Sequence, residues 1–163
     1  MIKYYQKYLI KKAIKNGLKV GDKTRILGMP NFGSEPYLVR IGNHCTITSG
    51  VKFVTHDGAT WLFRDEIEFK DVKRYGSIKI EDNCFIGINS ILMPNIIIGE
   101  NSIVAAGSLV NKSIPPNSVY GGVPAKYLMS LNEYKETTKN KSIPNIPNGN
   151  QKKEHLIKYF WGE

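Results

Sequence analysis

An aliphatic residue returns at every sixth position through the middle of the chain, and this period restricts the fold more than any other feature. The leading residues are Ile80, Ile86, Leu92, Ile98, Val104 and Val110. A period of six matches neither a helix nor a simple hairpin sheet, but it fits short strands joined by tight corners. With three strands to a coil, we predict a parallel β-helix in which positions 80, 86 and 92 lie under positions 98, 104 and 110.

The other places of each hexad support the same interpretation. In five hexads the fourth place holds a residue that adopts the left-handed backbone region at low cost: Asn83, Asn89, Asn95, Asn101 and Gly107. The fifth place holds small or apolar residues that are expected to point inward: Cys84, Ser90, Ile96, Ser102, Ser108 and Ile114. Earlier leading residues at positions 20, 26, 41, 47 and 53 extend the repeat, so the β-helix is expected to span residues 18–128.

Two stretches break the period. The stacked coils form a triangular prism. Residues 59–79 fall outside the period and are predicted to form a loop that leaves one corner of this prism, while residues 32–40 contain three extra residues. A long insertion in a tight repeat usually lies on the functional face. Because Phe32 and Phe53 lead equivalent faces, we expect both interruptions to leave the same corner in successive coils.

The two ends of the chain lack the period. Residues 1–17 are predicted to form an amphipathic helix that caps the open first coil, and we favour this role over attachment to an anionic membrane surface. Residues 129–163 are predicted to form a C-terminal tail. Within it, the polar residues 132–150 suggest an irregular linker, and residues 151–161 suggest a short helix.

The net charge of +9 lies at the two ends of the chain. Bases and acids balance over residues 24–125, and no arginine-rich stripe or zinc-finger spacing occurs, so nucleic acid is not an expected partner. No apolar run approaches the roughly 18 residues of a membrane span, and the first residues do not form a signal peptide. With only two cysteines, these features lead us to expect a cytoplasmic protein.

Two further stretches carry a resemblance to a known family. Residues 104–126, VAAGSLVNKSIPPNSVYGGVPAK, and residues 53–65, FVTHDGATWLFRD, resemble the hexapeptide-repeat acyltransferases, in particular the O-acetyltransferases of sugars and of capsular or surface polysaccharides. The resemblance implies a left-handed parallel β-helix and a homotrimer with active sites between subunits. It also implies that acetyl-CoA is the co-substrate, that no metal is needed, and that the acceptor is a sugar or polysaccharide precursor.

His56 is the predicted catalytic residue. Like His44, it occupies the fourth place of its hexad, where a histidine can simply form a left-handed corner. However, Asp57 then takes a place that should be small, and the segment Thr55–Gly58 resembles the catalytic histidine segment of the family. Imidazole suits a general base at neutral pH because its ordinary pKa is near 6.5. The sequence leaves open whether Asp57 orients the ring of His56 or pairs with the loop.

The resemblance also indicates residues for the two substrates. Coenzyme A is expected to contact Phe85, Asn89, Ala105, Ala106, Gly107, Ser108, Asn111, Lys112 and Lys126. Many relatives carry Trp where this chain has Phe85. For the acceptor sugar we expect contacts from Asp57, Trp61 and Arg64, although the loop residues among them also suit anchoring of the loop on a neighbouring subunit.

Several alternatives remain beside O-acetyl transfer. An N-acetyltransferase acting on an amino sugar, a nucleotide sugar or an antibiotic uses the same fold, and a non-catalytic β-helix scaffold needs no active site. A zinc-dependent carbonic anhydrase needs three histidines on one metal, and His155 in the tail and the regular corner residue His44 do not fit that requirement. Cys45 and Cys84 occupy inward places and are expected to be core residues rather than nucleophiles.

Overall fold

The computed structural model describes residues 2–162, and the side chains of residues 4–162. Its helices are α1 (Ile2–Lys15), α2 (Leu131–Asn140) and α3 (Gln151–Trp161). Its strands are β1 (Lys19–Val20), β2 (Arg25–Ile26), β3 (Val39–Ile41), β4 (Thr46–Ile47), β5 (Lys52–Phe53), β6 (His56–Asp57), β7 (Arg74–Tyr75), β8 (Ile78–Ile80), β9 (Phe85–Ile86), β10 (Ile91–Leu92), β11 (Ile96–Ile98), β12 (Ile103–Val104), β13 (Leu109–Val110), β14 (Ser118–Gly121) and β15 (Lys126–Ser130). Short 3-10 helices cover Pro36–Leu38, Gly58–Phe63 and Ile67–Phe69.

The short strands form three parallel sheets, which we call faces A, B and C. Face A contains β1, β3, β8 and β11, face B contains β2, β4, β9, β12 and β14, and face C contains β5, β10 and β13. Ile80 pairs with Ile98, Ile86 with Val104, and Leu92 with Val110. The predicted coil of three strands and eighteen residues is therefore confirmed.

The hexad places have the environments that the period predicts. The six leading residues from Ile80 to Val110 are at most 1% exposed, and the six fifth-place residues from Cys84 to Ile114 are also buried. The corner asparagines at positions 83, 89, 95 and 101 have φ between 56° and 61°, the left-handed region. Buried serines satisfy corner carbonyls, as when Ser90 Oγ donates to Gly87 O at 2.7 Å.

Helix α1 contacts the first coil through one of its faces. The Nε2 group of Gln6 donates to the carbonyl of Ile26 at 3.1 Å, and Ala13 packs against the core. At the end of the helix, Leu18 N donates to Ala13 O, and the Leu18 side chain is buried. These contacts hold the helix against the first coil.

The segment that follows the prism is more regular than we expected. Strand β15 pairs antiparallel with β14 on face B, and the chain divides into compact units of residues 1–132 and 133–163. Helix α2 covers residues where we expected an irregular linker, so that prediction was wrong at this point. The segment has no Pro or Gly to break a helix before Pro144, and half of its residues are the good helix formers Leu, Glu and Lys.

The second unit also contains the predicted terminal helix. Helix α3 covers residues 151–161 and ends at Gly162, which has φ of 72°. Within residues 2–162, no helix combines the length and the apolar character that crossing a membrane requires.

Candidate active site

The polypeptide leaves the prism immediately after β5. Instead of turning, residues His56–Asp57 form β6, which pairs antiparallel with β7, and Gly76 N donates to Thr55 O at 2.9 Å. His56 therefore has a strand conformation, although it occupies the fourth place of its hexad, where a corner residue is common. The two ends of the loop pair with each other, so no corner is made at this place. His44, in contrast, is a left-handed corner with φ of 54°.

A carboxylate that the sequence analysis did not select lies beside His56. Glu35 precedes the 3-10 helix Pro36–Leu38, within the shorter interruption at residues 32–40. Its Oε2 accepts a hydrogen bond from Thr55 Oγ1 at 2.6 Å and lies 3.0 Å from His56 Nδ1. The two interruptions therefore meet at one corner, as predicted, and that shared corner was the only sequence signal for Glu35.

The surroundings of Glu35 keep it ionised at neutral pH. The hydroxyl of Thr55, and then the ring of His56, hold the pKa of Glu35 below its ordinary value, against a partial burial that raises it. The Glu35 side chain is only 12% exposed, whereas that of His56 is 44% exposed. An ionised carboxylate only accepts, so Nδ1 of His56 carries the proton. No described residue hydrogen-bonds Nε2, which leaves that nitrogen free to act as a base.

Asp57 serves the loop rather than the histidine. Its Oδ1 accepts from Ala59 N at 3.0 Å and so caps the 3-10 helix Gly58–Phe63, while Oδ2 lies 3.3 Å from Arg74 Nη1. Of the two roles that the sequence left open, the structure supports pairing with the loop. Asp57 thereby holds β6 against β7 at the position next to His56.

His56 lies in an open cleft of about 320 Å3. The loop contributes Trp61, which is 73% exposed, and Arg64, whose guanidinium carbon lies 5.0 Å from the centre of the Trp61 ring. Arg64 and Lys73 line the cleft, and within the described part of the chain neither forms an ion pair. The cleft therefore combines a free imidazole nitrogen, a flat aromatic surface and two unpaired cations.

A larger hollow of about 550 Å3 lies on the outside of face A. Three stacked basic residues, Lys19, Arg40 and Lys79, line it together with acidic corner residues that include Glu81. It contains no histidine, and its Glu81 carboxylate is paired with Lys79 at 3.0 Å, so it lacks the free imidazole that the cleft at His56 offers. The smaller cleft at His56 is therefore the better candidate for the chemistry.

The residues expected to bind coenzyme A lie mainly along one corner. We call this corner BC; it joins faces B and C at residues 48–50, 87–89 and 105–107. Asn89, Ala106 and Gly107 are exposed there, and a side chain added at Gly107 would enter open space. Ser108 is buried, with its hydroxyl donating to Ala105 O at 2.6 Å, so it builds the corner rather than presenting a polar group.

The remaining residues that were expected to bind coenzyme A lie on either side of corner BC. Phe85 is 42% exposed on face B beside Ile103, and Lys126 begins β15 opposite Gly121. Asn111 and Lys112 lie at the next corner, between faces C and A, where the His56 loop also leaves the prism. A single chain therefore places His56 and the small residues of corner BC at different corners.

The other residues with reactive side chains lie outside the cleft. Cys45 and Cys84 are 1% and 2% exposed, and the neighbouring Cys45 sulfur together with burial raises the pKa of Cys84. The structure thus confirms that both cysteines are core residues. His155 belongs to α3 in the second unit. Among the described residues, no three His, Cys, Asp or Glu side chains lie close enough to share a metal ion.

The chain is similar to known transferases that carry the same repeat. The family model "Bacterial transferase hexapeptide (six repeats)" matches residues 77–112. Protein CapG of Staphylococcus aureus is 45% identical over 152 residues, which cover 91% of this chain and 87% of CapG. The galactoside O-acetyltransferase of Escherichia coli K12 is 43% identical over 56 residues, which cover 34% of this chain and 28% of that enzyme.

Solved structures show the same architecture. A hexapeptide-repeat acetyltransferase of Vibrio cholerae superposes with a TM-score of 0.59 at 23% identity, covering 77% of this chain and 81% of that one. Its structure with acetyl coenzyme A superposes with a TM-score of 0.52 at 26% identity, covering 76% and 78%. From the repeat, the match over nearly the whole of CapG and the shared fold, it follows that the chain belongs to the hexapeptide-repeat transferase family.

Proposed function

We propose that the protein is an O-acetyltransferase that moves an acetyl group from acetyl-CoA to a hydroxyl of a sugar or polysaccharide precursor. The observation that carries the proposal is the pairing of His56 Nδ1 with the partly buried Glu35 carboxylate, in a cleft that is open to a substrate. The named activity of the galactoside O-acetyltransferase and of the Vibrio cholerae structure supports acetyl transfer.

In the proposed mechanism, His56 acts as a general base. Nε2 takes the proton of the acceptor hydroxyl while the hydroxyl oxygen bonds to the thioester carbonyl carbon. As the tetrahedral intermediate collapses, the carbon–sulfur bond breaks and His56 gives the proton to the departing thiolate. Glu35 holds the ring in the tautomer that leaves Nε2 unprotonated and stabilises the imidazolium that forms. Because both substrates are held together, no nucleophile of the protein takes part.

Acetyl-CoA is proposed to lie against corner BC. The small exposed residues Ala106 and Gly107 let a ligand approach the backbone closely, and Phe85 with Ile103 offers an apolar strip for the pantetheine arm. Asn89, Asn111, Lys112 and Lys126 are the proposed polar and phosphate contacts. The Vibrio cholerae complex with acetyl coenzyme A supports this choice of co-substrate.

We further propose a homotrimer of left-handed β-helices with the active sites between subunits, as the family resemblance implies. The supporting observation is that His56 and corner BC lie at different corners of one prism. In an assembly, the His56 corner of one subunit can face corner BC of its neighbour and complete one site. Light scattering should then give a mass three times that of the single chain.

The acceptor is proposed to be a sugar that carries a negative charge, such as a phosphate or carboxylate. Trp61 offers a flat surface on which a sugar ring can stack, while Arg64 and Lys73 supply cationic charge without ion-pair partners among the described residues. Asp57 is not proposed to bind the acceptor itself, because its two carboxylate oxygens already accept hydrogen bonds from Ala59 N and Arg74 Nη1. Its role in this proposal is to hold the loop that carries Trp61 and Arg64.

One experiment separates this proposal from its alternatives. Acetyl-CoA is incubated with the protein and a panel of neutral sugars, sugar phosphates, nucleotide sugars, amino sugars and a hydroxyl-bearing antibiotic, and thiol release is followed. Turnover with a hydroxyl acceptor supports the proposal, and turnover with amines alone would replace it with N-acetyl transfer. If coenzyme A does not bind, measured by calorimetry, the scaffold alternative holds instead.

A further inference from the structure

Helix α1 has two faces with different surroundings. The face that contacts the first coil includes Gln6, which is bonded to the carbonyl of Ile26, and Ala13, which packs on the core. Residues in an α-helix advance by about 100° each, so positions 4, 8, 11 and 15 lie opposite this contact face. Covering the coil therefore accounts for one face only.

The opposite face, which we call the outer face, carries Tyr4, Tyr8, Lys11 and Lys15. Tyr4 is 81% exposed and Tyr8 is 59% exposed, although tyrosine rings gain free energy by leaving water. Tyr5 flanks them and is also exposed. Large aromatic rings aligned on the outside of a capping helix contribute nothing to the cap itself.

The charge of the outer face has one sign. Helix α1 contains no acidic residue, and the first acid of the chain is Asp22. Tyr8, Lys11, Lys12, Lys15 and Asn16 line a shallow groove of about 390 Å3 that contains no carboxylate. The groove thus presents three ammonium groups beside an aromatic ring, a combination that suits an anionic headgroup with apolar material next to it.

We propose that the outer face of α1 binds the surface of an anionic phospholipid bilayer. Tyrosine rings are enriched at the level of the lipid headgroups, and lysines are attracted to anionic leaflets, so the stripe meets both requirements of an interfacial helix. A purely polyanionic partner such as nucleic acid uses the lysines but gives no reason for Tyr4 and Tyr8. The site lies outside the His56 cleft, so the inference does not depend on acetyl transfer.

The test is flotation of the full chain with vesicles of phosphatidylcholine, with and without phosphatidylglycerol. We expect binding to the anionic vesicles only, weakening as salt is raised because surface charges are screened. Binding to neither kind of vesicle, or equally to both, overturns the proposal.

Variants then locate the contact. Lys11→Gln with Lys15→Gln should weaken vesicle binding by about tenfold or more. The matched control, Lys135→Gln with Lys139→Gln on α2, removes the same charge and should have little effect. Tyr4→Ser with Tyr8→Ser should also release the protein from vesicles while circular dichroism and turnover stay unchanged.

Three results would overturn the assignment. An equal loss of vesicle binding in the α1 and α2 lysine variants would show that binding depends on net charge and not on the outer face. Binding to a DNA duplex as tight as to vesicles, and insensitive to Tyr4→Ser with Tyr8→Ser, would assign the face to polyanions. A change of mass in light scattering on the tyrosine substitutions would assign it to a contact between subunits.

Discussion

Nδ1 of His56 lies 3.0 Å from Oε2 of Glu35, and the two residues are 21 positions apart on successive coils. Thr55 Oγ1 donates to the same carboxylate oxygen, so one oxygen is bound by two neighbours. This arrangement determines which ring nitrogen of His56 carries the proton.

Replacing Glu35 by Gln should lower kcat by about 10- to 100-fold. General base catalysis contributes about 10²- to 10⁴-fold, and this variant keeps His56 as the base but removes the carboxylate that orients its ring and stabilises its charged form. The KM for acetyl-CoA should change little, since Glu35 lies at the His56 corner. Steady-state kinetics with both substrates varied would check this split. An unchanged kcat would show that the carboxylate does not support the base.

Replacing Thr55 by Val should raise the pKa of Glu35, because the Thr55 hydroxyl is the largest cause of its lowered value. A carboxyl whose pKa is lowered by folding stabilises the folded state above its unfolded pKa of about 4.3, and this contribution is lost as pH falls through the folded value. Carbon-13 NMR titration of the Glu35 carboxyl should give a midpoint below that value in the natural protein and a higher one in Thr55→Val. Equal midpoints would contradict the assigned hydrogen bond.

Replacing Ile86 by Ala should cost about 2–5 kcal/mol of unfolding free energy, since Ile86 is fully buried in the centre of the prism. The matched control is Ile97→Ala, at an outward position that is 46% exposed, and it should cost less than about 1 kcal/mol. Urea unfolding followed by circular dichroism measures both values. Similar costs would contradict the inward and outward assignment of the hexad places.

Replacing Asn95 by Ala should destabilise the protein by about 1–2 kcal/mol, because its φ of 61° is costly for a residue with a Cβ and no local polar group. Asn95→Gly should cost less, since Gly adopts this region freely. The difference between the two urea midpoints isolates the backbone effect. A larger cost for Gly than for Ala would contradict the corner conformation.

The period allowed the register of the prism to be predicted because inward residues, corners and strand pairing are all local consequences of a six-residue repeat. Ile80 and Ile98 pair as expected for this reason. Where the six-residue period is interrupted, it no longer predicts the backbone conformation. His56 was selected as the base, but the period did not predict its strand conformation, because that depends on antiparallel pairing with Tyr75 across the inserted loop.

Glu35 was missed for a related reason. Its contact with His56 joins two interruptions, and the hexad pattern says that they share a corner without saying which side chains meet. Helix α2 was missed because its Asn and Thr residues are weak helix formers that interrupt the favourable Leu, Glu and Lys residues, and the rest of the tail is rich in Pro, Asn and Gly. A single sequence therefore did not predict the contact between the two interruptions, nor a helix formed by residues of mixed helix propensity.

The central claim is that His56 is the general base of acetyl transfer, and a pair of histidine variants tests it most directly. His56→Asn and His44→Asn make the same chemical change, and Asn suits the left-handed corner at position 44. Thiol release from acetyl-CoA, with the best acceptor of the panel, is measured for both together with coenzyme A binding. We predict a fall in kcat of about 10²- to 10⁴-fold for His56→Asn alone, with binding unchanged in both variants. Undiminished turnover in His56→Asn, or an equal fall in His44→Asn, would contradict the account.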